Sequence, residues 1–205
     1  MNSKDYITLV KEALPQSYDY SSYRQLVNDL FRQGKTTGSN HSGDMLAYTE
    51  MNIARMNKWD KHFKLPPALA EKLAGHDREE VWLVITEAWC GDAAHAVPVM
   101  TKMAEASPAI DLHFVLRDEN LQLMDRFLTN GGHSIPKLIR MDAEDHGLLS
   151  TWGPRPARLQ QEYLAARERG DDMMEFKKQM QIWYARDRGQ TIMHELSEQL
   201  TTTAV

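Results

Sequence analysis

Three short apolar runs separated by helical stretches predict an α/β fold of three layers, with helical extensions at both ends. The runs are VWLVIT (81–86), DLHFVL (111–116) and IPKLIRMD (135–142). The first is continuous and rich in β-branched residues, as expected of a strand buried on both faces in a parallel sheet. The second sets Leu112, Phe114 and Leu116 against His113 and Val115 in alternation. The third carries its proline at the start, where a missing N–H is tolerated. Helical stretches at about 93–106 and 119–129 separate the runs, and Asn130-Gly131-Gly132 closes the second of them. Strand, helix, strand, helix, strand in that order buries its apolar faces by stacking helices on a sheet.

The flanks read as helices. Residues 3–13 and 20–33 are expected to be helical, the second with Tyr23, Leu26, Val27, Leu30 and Phe31 at spacings of three and four. GKTTGSNHSG (34–43) is a loop, long enough to serve as a lid or as a connector. Asp44 is placed to cap the next helix, through about Lys61, with Met45, Tyr48, Met51, Ile53 and Met56 as its apolar set. Pro66-Pro67 opens a helix that ends at Gly75. After the third run, Gly147 to Thr151 supplies a short edge strand and Trp152-Gly153-Pro154-Arg155-Pro156 a rigid turn. Helices at 157–169, 171–188 and 190–200 follow, with a frayed TTTAV tail. The expected organisation is a helical region over 1–75 packed on the core, a core over 80–152, and a helical region over 153–205.

The chain has 205 residues, enough for one domain with a full core. Hydrophobic residues at 42% and charged residues at 26% exclude wholesale disorder, and a net charge of −5 argues against nucleic acid or an anionic membrane as a general partner. No run approaches the roughly 18 apolar residues of a membrane helix. The first residues show an apolar run of only four, Ile7 to Val10, interrupted by Thr8, so no secretory leader is expected there. A single cysteine excludes an intramolecular disulfide and any zinc site built on two thiolates, which suits a reducing cytoplasm. The spacing of Cys90, His95 and His133 matches no metal-binding pattern.

That cysteine sits in EAWCGDAAHAVP (87–98), where the first predicted strand turns into a helix. Free N–H groups at a helix start stabilise a thiolate and draw its pKa below the ~8.5 of a free thiol. Trp89 is expected to shield one side of the sulfur. His95, in the helix, and His133, in the loop before Pro136, are the candidate proton partners. Glu87 is read as a strand-end carboxylate and Asp92 as a helix N-terminal charge, one that also opposes thiolate formation. Met173, Met174, Met180 and Trp183 read as core at helical spacing, with an adaptable binding face as the alternative. Arg155, between two prolines, is a candidate to hold a carboxylate.

Trp89-Cys90-Gly91 after an apolar strand, with Ser134-Ile135-Pro136 opening a later one, resembles the thioredoxin family over roughly residues 80–150. EAWCGDAA, the GPRP turn and WYARD together look like a bacterial thioredoxin-like family. The resemblance implies a three-layer thioredoxin-like fold, Cys90 as the attacking cysteine and Pro136 as the cis-proline beside it. Ile135 then offers backbone groups to a bound substrate, with Trp89, Gly91 and Asp92 lining the same site. Two departures bear on chemistry. Ala93 stands where the resolving cysteine belongs, so dithiol reduction is excluded. Val84 stands where the family often has a buried aspartate.

Two functions follow as expectations. One is a single-cysteine thiol–disulfide oxidoreductase acting on a small-molecule or protein thiol or disulfide. It holds no cofactor, and glutathione or another low-molecular-weight thiol completes its cycle. The other is a redox-inactive binding module for a protein or small ligand.

Overall fold

The computed structural model describes residues 5–201. The expected start of the first helix at residue 3 and the tail beyond residue 201 lie outside them. The N-terminal region forms four helices, Asp5–Ala13 (α1), Tyr20–Arg32 (α2), Gly43–His62 (α3) and Pro67–Ala74 (α4). Asp19 caps α2 through the Ser22 N–H, as its position before the apolar stripe allows. Asp44 does not cap α3; it lies inside the first turn, after Ser42.

The sheet has the order β2-β1-β3-β4: Glu80–Thr86 (β1), Ile110–Leu116 (β2), Lys137–Asp142 (β3) and Leu148–Trp152 (β4). It is mixed rather than all parallel. β1 pairs with β2 in parallel, across the crossover helix Ala93–Glu105 (α5), and with β3 antiparallel, so Val84 faces both Phe114 and Leu138. All seven β1 residues are buried, which the continuous apolar run requires. β4 closes one edge against β3. The other edge, β2, is covered by Tyr18, which exchanges both backbone hydrogen bonds with Phe114. Tyr23 of α2 stacks on Phe114 with ring centroids 5.5 Å apart. Both rings are buried, and each contributes about 2 kcal/mol of transfer free energy.

The helix expected over 119–129 is cut to Leu121–Met124 (α6). Thr129 and Gly132 exchange backbone hydrogen bonds around Asn130 and Gly131, both at positive φ. Asn-Gly therefore makes a tight two-residue turn here, not a helix end. Ala157–Arg169 (α7), Met173–Asp187 (α8) and Gln190–Thr201 (α9) complete the chain. α3, α4 and α9 pack on α5, and one hydrophobic core takes in Val10, Met56, Val84, Met180 and Ile192 from all three regions. The methionines of α8 divide: Met180 is buried in that core, while Met174 is 55% exposed. No helix among the described residues is long and apolar enough to cross a membrane.

Candidate functional site

β1 delivers its last residues to a tight turn, with the Cys90 N–H bonded to Glu87 O, and α5 begins at Ala93. The Cys90 Sγ–H donates to the Ile135 carbonyl at 3.2 Å, and the Ala93 N–H approaches Sγ at 3.5 Å. The Ile135–Pro136 peptide bond is cis. The chain therefore brings Cys90, Ile135 and Pro136 together at the end of the central strand.

The thiol is not the activated one that the turn predicts. Cys90 is buried, and burial, followed by the Asp92 charge, pushes its pKa up to about 12. The Ala93 and Asp92 N–H groups act in the opposite sense and are outweighed.

Two helices outside the sheet pack on the turn on either side of Cys90 in sequence. From α3, Asn52 donates to Ala88 O at 2.8 Å. From α8, Gln181 lies against Gly91 so closely that a side-chain carbon there would stand 3.3 Å from its Nε2. The 34–43 loop is fastened as well. Thr36 and Thr37 are buried, and Thr37 Oγ1 accepts from the Ala88 N–H at 2.8 Å, which ties this part of the loop to the turn.

His95 does not serve the thiol. Trp59 Nε1–H donates to its Nδ1 at 3.1 Å, which leaves the proton on Nε2, and that nitrogen bonds Gln181 Oε1 at 2.8 Å. The ring also stacks on Tyr184 at 4.4 Å. Buried rather than solvated, His95 has its pKa drawn down to about 4 by desolvation. His133 is exposed and pairs with Asp125 at 2.6 Å on the surface, so neither histidine is a proton partner of Cys90. A half-buried Trp89 carries the Arg117 guanidinium over its ring at 4.7 Å.

Asp92, expected as a charge at the helix start, stands at that start but spends its carboxylate on two side chains from other elements. Its Oδ2 takes Arg155 Nε and Nη2 at 3.1 and 2.7 Å, and its Oδ1 takes the Tyr184 hydroxyl at 2.7 Å. Arg155 thus holds a carboxylate of this chain, not one from a ligand. Burial lowers the Arg155 pKa, and the Asp92 charge and hydrogen bonds, with smaller contributions from Tyr184 and Cys90, together raise it above its ordinary value. Gly153 makes the approach possible. At φ +110 it lies so near Pro136 that a Cβ would stand 2.1 Å from the Pro136 carbonyl oxygen.

Glu87 is fully buried, not an ordinary strand-end carboxylate. Its Oε1 accepts from the Asp118 N–H at 2.9 Å, while Oε2 has no hydrogen bond of good geometry. Desolvation raises its pKa, and the Thr37 hydroxyl beside it lowers it again in part.

Sequence reasoning missed Asn52, Arg55, Gln181 and Tyr184. One signal existed: Asn52 falls with Thr49 and Met56 on the buried stripe of α3, while the expected Met51 is 43% exposed. A polar residue on a buried helix face has a partner to find.

A thioredoxin family model matches residues 38–182. A protein of unknown function from Pseudomonas aeruginosa, in a 1.5 Å crystal structure, is similar with a TM-score of 0.56 and 18% identity, over 90% of each chain. That likeness concerns the fold alone. The crystal structure of an HIV epitope-scaffold, 24% identical over 64% of this chain and 79% of its own, gives a TM-score of 0.46. No curated protein matches the chain.

Proposed function

The chain belongs to the thioredoxin family, and we propose that within it this protein is a binding module whose cysteine is kept as a covered, protonated thiol. One observation carries the reading: Cys90 and the Ile135 carbonyl are bonded to each other. The nucleophile is thereby occupied, and so is the backbone group that the family resemblance assigns to substrate docking. With Ala93 in place of a resolving cysteine, and burial and the Asp92 charge outweighing the Ala93 and Asp92 N–H groups at the thiol, the balance at the turn is against exchange.

The test is the rate of Cys90 alkylation against pH, clean because the chain has one cysteine. Slow alkylation with an apparent pKa well above the ~8.5 of a free thiol is expected. A depressed pKa with fast alkylation overturns the reading.

One observation favours a second reading, the single-cysteine oxidoreductase: Sγ lies beside Ile135-Pro136 and within reach of the Ala93 N–H, so the geometry lacks access rather than parts. In that reading α8 must move aside. The Cys90 thiolate then attacks a disulfide, releasing one thiolate and forming a mixed disulfide, and an external thiol such as glutathione attacks in turn to free Cys90. Incubation with glutathione disulfide distinguishes the two: a stoichiometric mixed disulfide supports the oxidoreductase, and none supports the binding module.

A further inference from the structure

We propose that Arg55 and Gln181 form an anion-binding site over Gly91, at the mouth of the cysteine turn, and that the ligand carries a carboxylate or phosphate group there. This deepens the binding reading above and rests on it for the ligand's being held rather than turned over.

Both side chains converge on one point. A Cβ added to Gly91 would stand 3.3 Å from Gln181 Nε2 and 3.8 Å from Arg55 Nη1. Gly91 itself is only half-buried, so the spot is open to solvent. Each donor is aimed by a second residue. Asn52 gives its amide N–H to Ala88 O at 2.8 Å, which leaves Oδ1 to accept Arg55 Nη1 at 2.7 Å. On the other side, the Trp59 indole donates to His95 Nδ1, His95 therefore donates from Nε2, and Gln181 must answer with Oε1. That orientation leaves the Gln181 NH2 group as the one facing Gly91. A chain of three side chains from α3 through α5 to α8 thus fixes a donor at the mouth of the turn, which makes His95 a positioning residue for the site.

The charge is unmatched. Among the described residues no carboxylate pairs with Arg55, although half-burial costs its charged form and lowers its pKa. The nearby acid, Asp92, is already satisfied by Arg155 and Tyr184. The contrast with Arg155 is informative: that guanidinium has a carboxylate partner in Asp92, and Arg55, among the described residues, has only the neutral Asn52 amide oxygen. The second N–H of Arg55 Nη1, left over from the bond to Asn52, and the Gln181 amide suit the two oxygens of an oxyanion.

The experiment titrates the isotope-labelled full chain with inorganic phosphate and, separately, with acetate, at fixed pH and at constant ionic strength held with chloride. Saturable displacement of the Gly91 backbone and Gln181 side-chain amide signals is expected with at least one anion, and which of the two saturates names the ligand group. Arg55→Gln is expected to weaken binding roughly tenfold or more with the rest of the spectrum intact, and Arg55→Lys to retain part of it. The proposal is overturned if neither anion moves these signals beyond chloride, or if Arg55→Gln binds equally well. Either failure leaves the alkylation profile of Cys90, and hence the covered-thiol reading, untouched; a reactive Cys90 would equally leave this titration untouched.

Discussion

The two ends of β1 are built on opposite plans. At its start, Glu80 is buried and fully partnered: Arg140 Nη2 and Nε serve Oε1 and Oε2 at 2.6 and 2.9 Å, Trp82 Nε1–H adds to Oε2 at 2.8 Å, and His76 lies 3.2 Å from Oε1. Every charge there is answered from within the chain. Just past its end, Glu87 keeps one carboxylate oxygen without a good hydrogen bond, Arg55 has no carboxylate partner among the described residues, and Cys90 is buried in a turn against which α3 and α8 pack. Buried polar groups in folded proteins are normally satisfied, and the unspent capacity just past the end of β1 is what the proposed anion site draws on. The satisfied end is a structural plug.

The sharpest way to break this comparison is to remove one partner from the plug. Arg140→Met leaves Glu80, 1% exposed, with its charge uncompensated. A loss of about 3–5 kcal/mol of folding stability is expected in chemical denaturation. Cys90 alkylation in the folded protein should not change. A variant with altered thiol reactivity would show that the two ends are coupled and that the plug is not merely structural.

At the cysteine end the largest effect lies with His95. Its pKa falls from 6.5 unfolded to about 4 folded because burial disfavours the charged ring. Below pH 6.5 the unfolded chain takes up a proton that the folded chain refuses. The contribution of this site is therefore whole above pH 6.5 and declines as pH falls, by roughly 3 kcal/mol across the window to about 4. Stability measured between pH 5 and 6.5 should slope downward with acid in the native chain and lie flatter in His95→Gln. Equal slopes would mean that the ring is not held neutral between Trp59 and Gln181.

The strands, the cysteine turn and the helix boundaries of the flanks were legible because they rest on local patterns: periodicity, prolines, glycines and caps. What the pattern could not carry is pairing across distance. Asp92 meets Arg155 and Tyr184, and Asn52 reaches Ala88, only after α3 and α8 have folded over the turn. Local reasoning treated the turn as an open helix start and so expected a thiolate; the covering helices reverse the sign of that expectation by desolvating the sulfur. The overlong helix at 119–129 failed for a different reason, since Asn130-Gly131 fits both a helix end and a two-residue turn, and Thr129 with Gly132 decides for the turn.

The smallest expected effect discriminates most finely. Burial raises the Glu87 pKa, so ionisation opposes folding, and the stability this group leaves to the chain declines as pH rises above the ordinary carboxylate range. Glu87→Gln retains an oxygen for the Asp118 N–H, adds an N–H donor where Oε2 lacks a good partner, and cannot ionise. At neutral pH the variant should match or exceed the native chain by up to about 1 kcal/mol, and its advantage should vanish toward pH 4, where the native carboxyl is protonated in both states. A variant less stable by about 2 kcal/mol or more at neutral pH would show that the carboxylate is ionised and held by the Thr37 hydroxyl and the Asp118 N–H. In that case the cysteine end of β1 would be satisfied much as the Glu80 end is, and the contrast between them would rest on Arg55 alone.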